Sequence, residues 1–156
     1  MTDDWYEFLA ALLDAGARFL VVGAHAMAVH GVPRGTQDLD VWIDRNARNV
    51  DLVWHALAAF GAPLASLAVS RDDLRRDATV VQLGVPPNRI DLLTSISGVP
   101  DFTAAWTARV EHAVRGRRVP FIGRDDLIRN KRATARRKDL ADVEALGVDV
   151  EEPPRP

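Results

Sequence analysis

Cysteine is missing from all 156 residues of the sequence. Disulfide bonds and thiolate metal sites are therefore excluded as means of holding the chain together. A chain without cysteine is compatible with a reducing compartment, and we expect the protein to be cytoplasmic. The length is enough for one domain with one substantial core, and is too short for two ordinary domains.

Long hydrophobic runs are also missing. The longest, residues 19–32, contains His25 and His30 and is shorter than the roughly 20 apolar residues that span a bilayer. The N-terminal stretch MTDDWYEFLAALLDAG is acidic, and it lacks the basic start and small-residue cleavage site of a signal peptide. We therefore expect a soluble protein with no membrane partner.

Aromatic residues are few, and they make up 6% of the chain. The tryptophans are too dispersed to form a platform on which nucleic-acid bases stack, so we assign them to the core or its edge. Trp42 is the exception, because strand periodicity places it on the same face as the two aspartates described below. We expect Trp42 to border a ligand pocket there.

Charge is unevenly distributed along the chain. Residues 109–138 contain eleven Lys or Arg and three Asp or Glu, a local net charge of +8 within an overall net charge of −2. Such a segment is typical of a surface that faces phosphates or nucleic acid, and equally of a solvated helix rich in charge. Charge alone does not choose between these two interpretations.

Apolar periodicity and turn signals predict an α+β domain over residues 1–150, followed by a flexible tail over residues 151–156. We expect a mixed β-sheet of about five strands flanked by helices. The helices are predicted at residues 3–15, 24–30, 46–60, 101–109, 125–138 and 140–146. The strands are predicted at 18–22, 39–43, 78–83 and 89–93, with residues 110–114 and 117–121 forming a hairpin or two short strands.

The most unusual stretch is VVGAHAMAVHGVPRGTQDLDVWID, because it places Asp38 and Asp40 two residues apart in an apolar strand. Alternation along the strand puts both carboxylates on one side. Their repulsion becomes favourable if a divalent cation such as Mg²⁺ bridges them. Asp91, a lone acid in RIDLL, would complete a three-carboxylate cluster if its strand lies beside the first. Such a cluster can hold two metal ions about 4 Å apart for phosphoryl or nucleotidyl transfer.

The approach to this strand fits the same chemistry. Gly23 lies where a strand turns sharply into a helix, and unpaired backbone N–H groups there can receive a triphosphate. A lone Asp-x-Asp is a weak signal, however, and it is equally typical of a surface strand with an outward acidic face.

These blocks resemble the nucleotidyltransferase superfamily with the DNA polymerase β-like fold. Val22-Gly23-Ala24 followed by Asp38-Leu39-Asp40-Val41 is similar to its first motif, and Asp91 resembles its third acid. The loop HGVPRGTQDLDVWI resembles the Arg-x-Thr-x-Asp-apolar-Asp form of nucleotidyltransferases similar to abortive-infection toxins (AbiEii-like). A helix containing Lys131, followed by the pair Lys138-Asp139, resembles a later block of that group. The matched blocks reach from residue 20 to about 146.

The resemblance implies roles for individual residues. Asp38, Asp40 and Asp91 would be catalytic residues and would bind two Mg²⁺ ions, with Asp91 helping to deprotonate the attacking hydroxyl. The nucleotide would be bound by Gly23, Ala24, Arg34, Thr36, Lys131 and Asp139. The family usually has Gly-Gly or Gly-Ser where this chain has Gly23-Ala24, and the backbone N–H is retained.

Several of these residues also have ordinary interpretations. Arg34 would grip a phosphate or an acceptor, or be a surface-loop arginine. Lys131 would bind the triphosphate or be a solvated helix lysine. It shares a face with Lys138 and Asp142 if that helix is continuous. Asp139 would orient Lys131 or an arginine, or cap the last helix.

The sequence therefore predicts a Mg²⁺-dependent nucleotidyltransferase that transfers NMP from an NTP to an acceptor hydroxyl. The favoured acceptors are tRNA or a partner protein, in a toxin–antitoxin or phage-defence system, and the +8 segment would face the RNA. A small molecule such as an antibiotic is a further acceptor. Two alternatives remain. The first is a non-catalytic nucleotide-binding module or the inactive partner in such a system, and the second is a phosphohydrolase that uses the same acids.

Overall fold

A computed structural model of the chain describes residues 1–147. Its helices are α1 (Asp3–Ala15), α2 (Gly23–Val29), α3 (Ala47–Phe60), α4 (Leu64–Leu67), α5 (Arg71–Arg75), α6 (Phe102–Thr107), α7 (Arg124–Thr134) and α8 (Arg137–Ala145). Its strands are β1 (Phe19–Val22), β2 (Asp38–Ile43), β3 (Val80–Leu83), β4 (Arg89–Leu93), β5 (Val110–Val114) and β6 (Arg117–Phe121). The tail predicted at residues 151–156 lies outside the described part of the chain.

All six strands belong to one mixed sheet, in the order β3-β4-β2-β1-β6-β5. The β2–β4 and β1–β6 pairs are parallel, and the remaining pairs are antiparallel. The predicted α+β class and mixed sheet flanked by helices are confirmed. The expected number of about five strands is wrong, because both arms of the β5–β6 hairpin belong to the sheet, with β6 beside β1 and β5 at the edge.

The core lies where the helices cover the sheet. Every residue of β1 is buried, as expected for a strand with neighbours on both edges and packing on both faces. In β2 the alternation predicted from the sequence is confirmed, since Leu39, Val41 and Ile43 are fully buried. The N-terminal helix α1 packs against α3, and each ends at a glycine in the left-handed conformation, as the sequence predicts. In the described residues, no helix has the length and apolarity that a membrane crossing requires.

The basic segment predicted as one helix over residues 125–138 is two helices. The first, α7, ends before Ala135, whose φ of 51° lies in the left-handed region, and α8 begins two residues later. Asp139 accepts a hydrogen bond from the Arg136 backbone N–H at 3.2 Å, which caps a new helix N-terminus at that point. The prediction of one helix over residues 125–138 is therefore wrong, and α7 and α8 pack against each other.

Asn49 connects α3 to both strands that lead into the site. Its Oδ1 accepts a hydrogen bond from the Arg18 backbone N–H at 2.7 Å. Its Nδ2 donates to the carbonyl oxygens of Arg18 at 3.0 Å and Asp44 at 2.7 Å. The side chain is 4% exposed, so water does not compete for these contacts.

Asn49→Ala is expected to lower the free energy of unfolding by about 2–4 kcal/mol, because a buried side chain loses three part-buried hydrogen bonds to the backbone. Urea unfolding followed by circular dichroism measures this change. Arg48→Ala, at an exposed position on the same helix, is the matched control and should change the free energy by less than about 0.5 kcal/mol. A loss near zero for Asn49→Ala would show that water replaces the side chain.

Candidate functional site

The three acids singled out from the sequence lie on neighbouring strands of the sheet. Parallel pairing aligns Asp40 of β2 with Asp91 of β4, and Asp38 with Arg89. Alternation places Asp38 and Asp40 on one face, and Asp91 faces the same way. One oxygen from each of the three carboxylates lies within 4.8 Å of the others.

Burial and the electrostatic repulsion within this cluster raise the pKa of Asp40. The pKa of Asp40 is raised from 3.8 to about 7, first by burial and then by the negative charges of Asp38 and Asp91, while Lys131 opposes the shift. Carboxylate oxygens at this spacing are the donors that hard divalent cations prefer, and a bound cation relieves the repulsion. The donor set therefore fits Mg²⁺ held by Asp38, Asp40 and Asp91.

Gly23 lies against this cluster for a steric reason. It has a φ of 68°, in the left-handed region, where β1 turns into α2. A Cβ atom on Gly23 would lie 2.2 Å from Oδ2 of Asp40, which no real contact allows. Glycine is therefore required both by the backbone turn and by the position of the Asp40 carboxylate.

A cleft of about 520 Å³ opens in front of the carboxylates. That volume lies within the range of small-molecule sites, roughly 300–1,000 Å³. Eight of the nine residues predicted for the site line it: Gly23, Ala24, Arg34, Thr36, Asp38, Asp40, Lys131 and Asp139. The ninth, Asp91, is 7% exposed and is aligned with Asp40 on the neighbouring strand β4. The structure thus brings the nine residues to one place.

Two residues of the loop before β2 contact acids of the site. The Thr36 hydroxyl donates a hydrogen bond to Oδ1 of Asp38 at 2.8 Å, so it orients that carboxylate. Arg34 forms an ion pair with Asp142 of α8. The loop that was predicted to grip a nucleotide is therefore bound, in this structure, to acidic side chains on both sides of the cleft.

Lys131 is buried between two acids and is not a solvated helix lysine. It is 8% exposed, and its Nζ lies 3.0 Å from Oδ2 of Asp142 and 3.5 Å from Oδ1 of Asp139. The sequence placed Lys131 and Asp142 on one face only if the helix were continuous; the helix is broken, and the two residues meet through the packing of α7 on α8. Lys138 lines the cleft with an exposed side chain.

Asp139 both caps α8 and binds cationic side chains. It is fully buried, and its Oδ2 accepts a hydrogen bond from Nε of Arg136 at 2.7 Å. Burial by itself would raise the pKa of Asp139, but the hydrogen bonds from Arg136 and Thr134 outweigh it and lower the pKa to about 2. The two interpretations of Asp139 that the sequence left open are therefore both realised.

Two arginines of the site were missed from the sequence. Arg89 pairs with Asp38 and Asp91, and Arg136 pairs with Asp139. For Arg89 a signal was present, because it precedes Asp91 by two residues and so shares its strand face. For Arg136 no signal existed, since its position depends on the break between α7 and α8.

Trp42 does not border the cleft, and that expectation is wrong. It lies on the aspartate face of β2 but is 2% exposed. Its ring packs edge-on against Phe102 of α6, with centroids 4.9 Å apart. His30 is half-buried, and its Nε2 lies 2.8 Å from the Ile122 carbonyl oxygen.

Comparison with protein-family models finds no match for this sequence, and comparison with curated proteins finds none either. The resemblance to nucleotidyltransferases therefore rests on the residues of this chain.

Because Gly23 lies close to Asp40, a side chain at position 23 should disturb metal binding by the cluster. Gly23→Ala should weaken Mn²⁺ binding about tenfold, because the new Cβ displaces the Asp40 carboxylate. Isothermal titration calorimetry measures the affinity. Ala24→Ser, at the next residue, keeps the backbone N–H and is the matched control, with an expected change below about twofold. Equal affinities for Gly23→Ala and the unmutated chain would contradict the steric argument.

The raised pKa of Asp40 predicts a pH-dependent stability of the metal-free protein. The unfolded chain releases this proton near pH 4, whereas the folded chain keeps it until about pH 7. Stability is therefore lost as the pH rises from about 4 to about 7. In EDTA, we expect Tm to fall across this window by about 5 °C more in the unmutated protein than in Asp40→Asn. Scanning fluorimetry measures both curves, and parallel curves would contradict the assignment.

Proposed function

We propose that the chain is a Mg²⁺-dependent nucleotidyltransferase with the DNA polymerase β-like fold, acting in the cytoplasm. The observation that carries the proposal is the cluster of Asp38, Asp40 and Asp91, whose oxygens lie within 4.8 Å beside the tight turn at Gly23. The reaction transfers NMP from an NTP to an acceptor hydroxyl. The hydroxyl oxygen forms a bond to the α-phosphorus, and the bond from that phosphorus to the bridging oxygen breaks. Pyrophosphate leaves with the electron pair.

Bound Mg²⁺ supplies charge neutralisation for the phosphates and for the leaving group in this chemistry. Asp38, Asp40 and Asp91 would hold the cation, and Asp91, in the role that the resemblance gives it, would also accept the proton of the attacking hydroxyl. Thr36 keeps the Asp38 carboxylate in one orientation through its 2.8 Å hydrogen bond. Each of these residues lies on or next to a strand, which favours a fixed geometry.

The charges of the cleft explain why a divalent cation is needed. Four basic and four acidic side chains line the cleft: Arg34, Lys131, Arg136, Lys138, Asp38, Asp40, Asp139 and Asp142. When all eight are ionised their charges cancel, and a proton on Asp40 leaves a net charge of only +1, so the protein alone provides little attraction for a triphosphate. We therefore expect the NTP to bind together with Mg²⁺ rather than before it.

The exposed basic residues favour RNA as the acceptor. The +8 segment, residues 109–138, has two parts that differ in whether their arginines pair with acids. On the β5–β6 hairpin, Arg115 pairs with Asp3, and Arg118 pairs with Glu111. Arg132 of α7 and Arg137 of α8 are exposed and have no acidic partner within residues 1–147. They are adjacent in sequence to residues that line the cleft, so a polyanion bound there would lie close to the site.

A second candidate is the non-catalytic nucleotide-binding module. The observation that favours it is the pairing of Arg89 with Asp38 and Asp91, because this cation already neutralises part of the cluster. The module predicts binding of metal and NTP without turnover. A partner protein or a small molecule as acceptor remains within the first proposal.

Incubation with Mg²⁺, each α-labelled NTP and bulk tRNA is the experiment that tests the function. Label transfer to the tRNA is expected from the unmutated chain, and a loss of at least 100-fold from Asp38→Asn/Asp40→Asn. The double variant should keep the fold, which circular dichroism checks. Metal and NTP binding without label on tRNA, a co-purified partner or the chain itself would favour the binding module. Release of labelled phosphate or NMP alone would indicate a hydrolase.

The same assay examines the RNA-facing surface. Arg132→Gln/Arg137→Gln should raise the KM for tRNA about tenfold and leave NTP binding unchanged. Arg115→Gln/Arg118→Gln removes the same charge from the hairpin and is the matched control, with little change expected. Equal effects of the two double variants would show that overall charge, and not this surface, attracts the RNA.

A further inference from the structure

Arg89 places a positive charge between two acids of neighbouring strands, Asp38 and Asp91. Its Nη2 donates a hydrogen bond to Oδ2 of Asp38 at 2.8 Å and another to Oδ2 of Asp91 at 3.2 Å. Its Nε lies 3.1 Å from Oδ1 of Asp91, an ion-pair distance without hydrogen-bond alignment. One guanidinium therefore links the acids of β2 and β4, and a single nitrogen contacts both carboxylates.

The backbone around Arg89 is held independently of its side chain. Parallel pairing aligns Arg89 with Asp38, and the carbonyl oxygen of Arg89 accepts a hydrogen bond from Nε1 of Trp5 at 3.1 Å. Trp5 is 4% exposed, so this contact is part of the core. The Arg89 side chain, by contrast, is 31% exposed. Displacement of the guanidinium therefore requires rotation of one side chain and no change in the sheet.

Both oxygens of Asp38 are engaged in this state. Thr36 donates to Oδ1 and Arg89 donates to Oδ2. Each carboxylate oxygen keeps a second lone pair, so a cation can bind Asp38 beside a hydrogen bond, but at Oδ2 it meets the positive charge of Arg89. The Arg89 contact is the one that such a cation replaces, because two cations repel each other at this distance and a hydroxyl does not repel a cation.

We propose that Arg89 is an internal counter-cation that competes with the divalent metal for Asp38 and Asp91. In the metal-free protein it holds the two carboxylates together. When the metal binds, the guanidinium leaves Asp38 and turns toward solvent. Arg89 is thus a positioning residue that sets the affinity of the site for the metal. The inference rests on the metal-binding part of the proposed function and is independent of nucleotide transfer.

Arg89→Met is the variant that tests this competition, since it keeps an unbranched apolar stem and removes the charge. We expect its Tm in EDTA to fall below that of the unmutated chain, because the acids lose their counter-charge. We expect Mn²⁺ to bind about tenfold more tightly, because no guanidinium has to be displaced. Calorimetry gives the affinity, and scanning fluorimetry gives Tm. Arg118→Met removes the same charge at a remote exposed position, and it should leave both quantities unchanged.

A measurement on the unmutated chain removes any dependence on variants that fold poorly. Saturating Mg²⁺ should shift the ¹⁵N resonance of the Arg89 Nε–H, which is assigned through its own backbone resonances. The Nε–H resonance of Arg118 should stay in place. An Arg89 signal that does not respond to Mg²⁺ would overturn the proposal.

The outcomes separate this inference from the proposed function. Mn²⁺ binding of equal or lower affinity in a folded Arg89→Met chain would reject the competition and leave the metal site standing. Failure of the unmutated chain to bind Mn²⁺ would reject both. Tighter binding in Arg89→Met from a protein that transfers no nucleotide would support the role of Arg89 and reject the enzyme.

Discussion

The parallel pairing of β2 with β4 is the constraint on which the site depends. It aligns Asp40 with Asp91 and keeps Asp38 on the same face, so three carboxylates are held closer together than they would lie in water. The sheet can impose this arrangement because fully buried residues such as Leu39 and Val41 anchor β2 from the opposite face. Hydrophobic burial thus provides the free energy that holds like charges together.

Three features of the surroundings allow the acids to lie this close together. The pKa of Asp40 rises, so that one carboxyl retains its proton near neutral pH. Arg89 supplies a positive charge from the neighbouring strand. Gly23 leaves space that any side chain would take from Asp40. The first two features offset the negative charge of the acids, which is the charge that a divalent cation would neutralise.

A second group of charged side chains lines the opposite side of the cleft. Lys131 lies between Asp139 and Asp142, and Arg34 reaches Asp142 from the loop before β2. A buried lysine needs such partners, because an unpaired charge in this position would be strongly unfavourable. These pairs connect α7 and α8 to the loop, so the walls of the cleft are coupled through charge as well as through packing.

Local pattern was enough to predict much of this molecule. Alternation in β2 indicated which residues face the core and that Asp38 and Asp40 share a face, and helical periodicity with a terminal glycine gave the bounds of α1. The break at Ala135 was missed because a long basic segment has the composition of one helix. Trp42 was misjudged because strand face alone does not reveal that Phe102 covers it.

By itself, then, the sequence determined the period-two and helical patterns, the class of fold and the acids that are candidates for metal binding, since these depend on neighbours along the chain. Only the tertiary structure decided which strands are adjacent, that Arg89 bridges the acids, and that Lys131 is buried between Asp139 and Asp142. Those contacts join residues that are distant in sequence or lie across a helix break. Their distances and charges follow from packing, which no local pattern specifies.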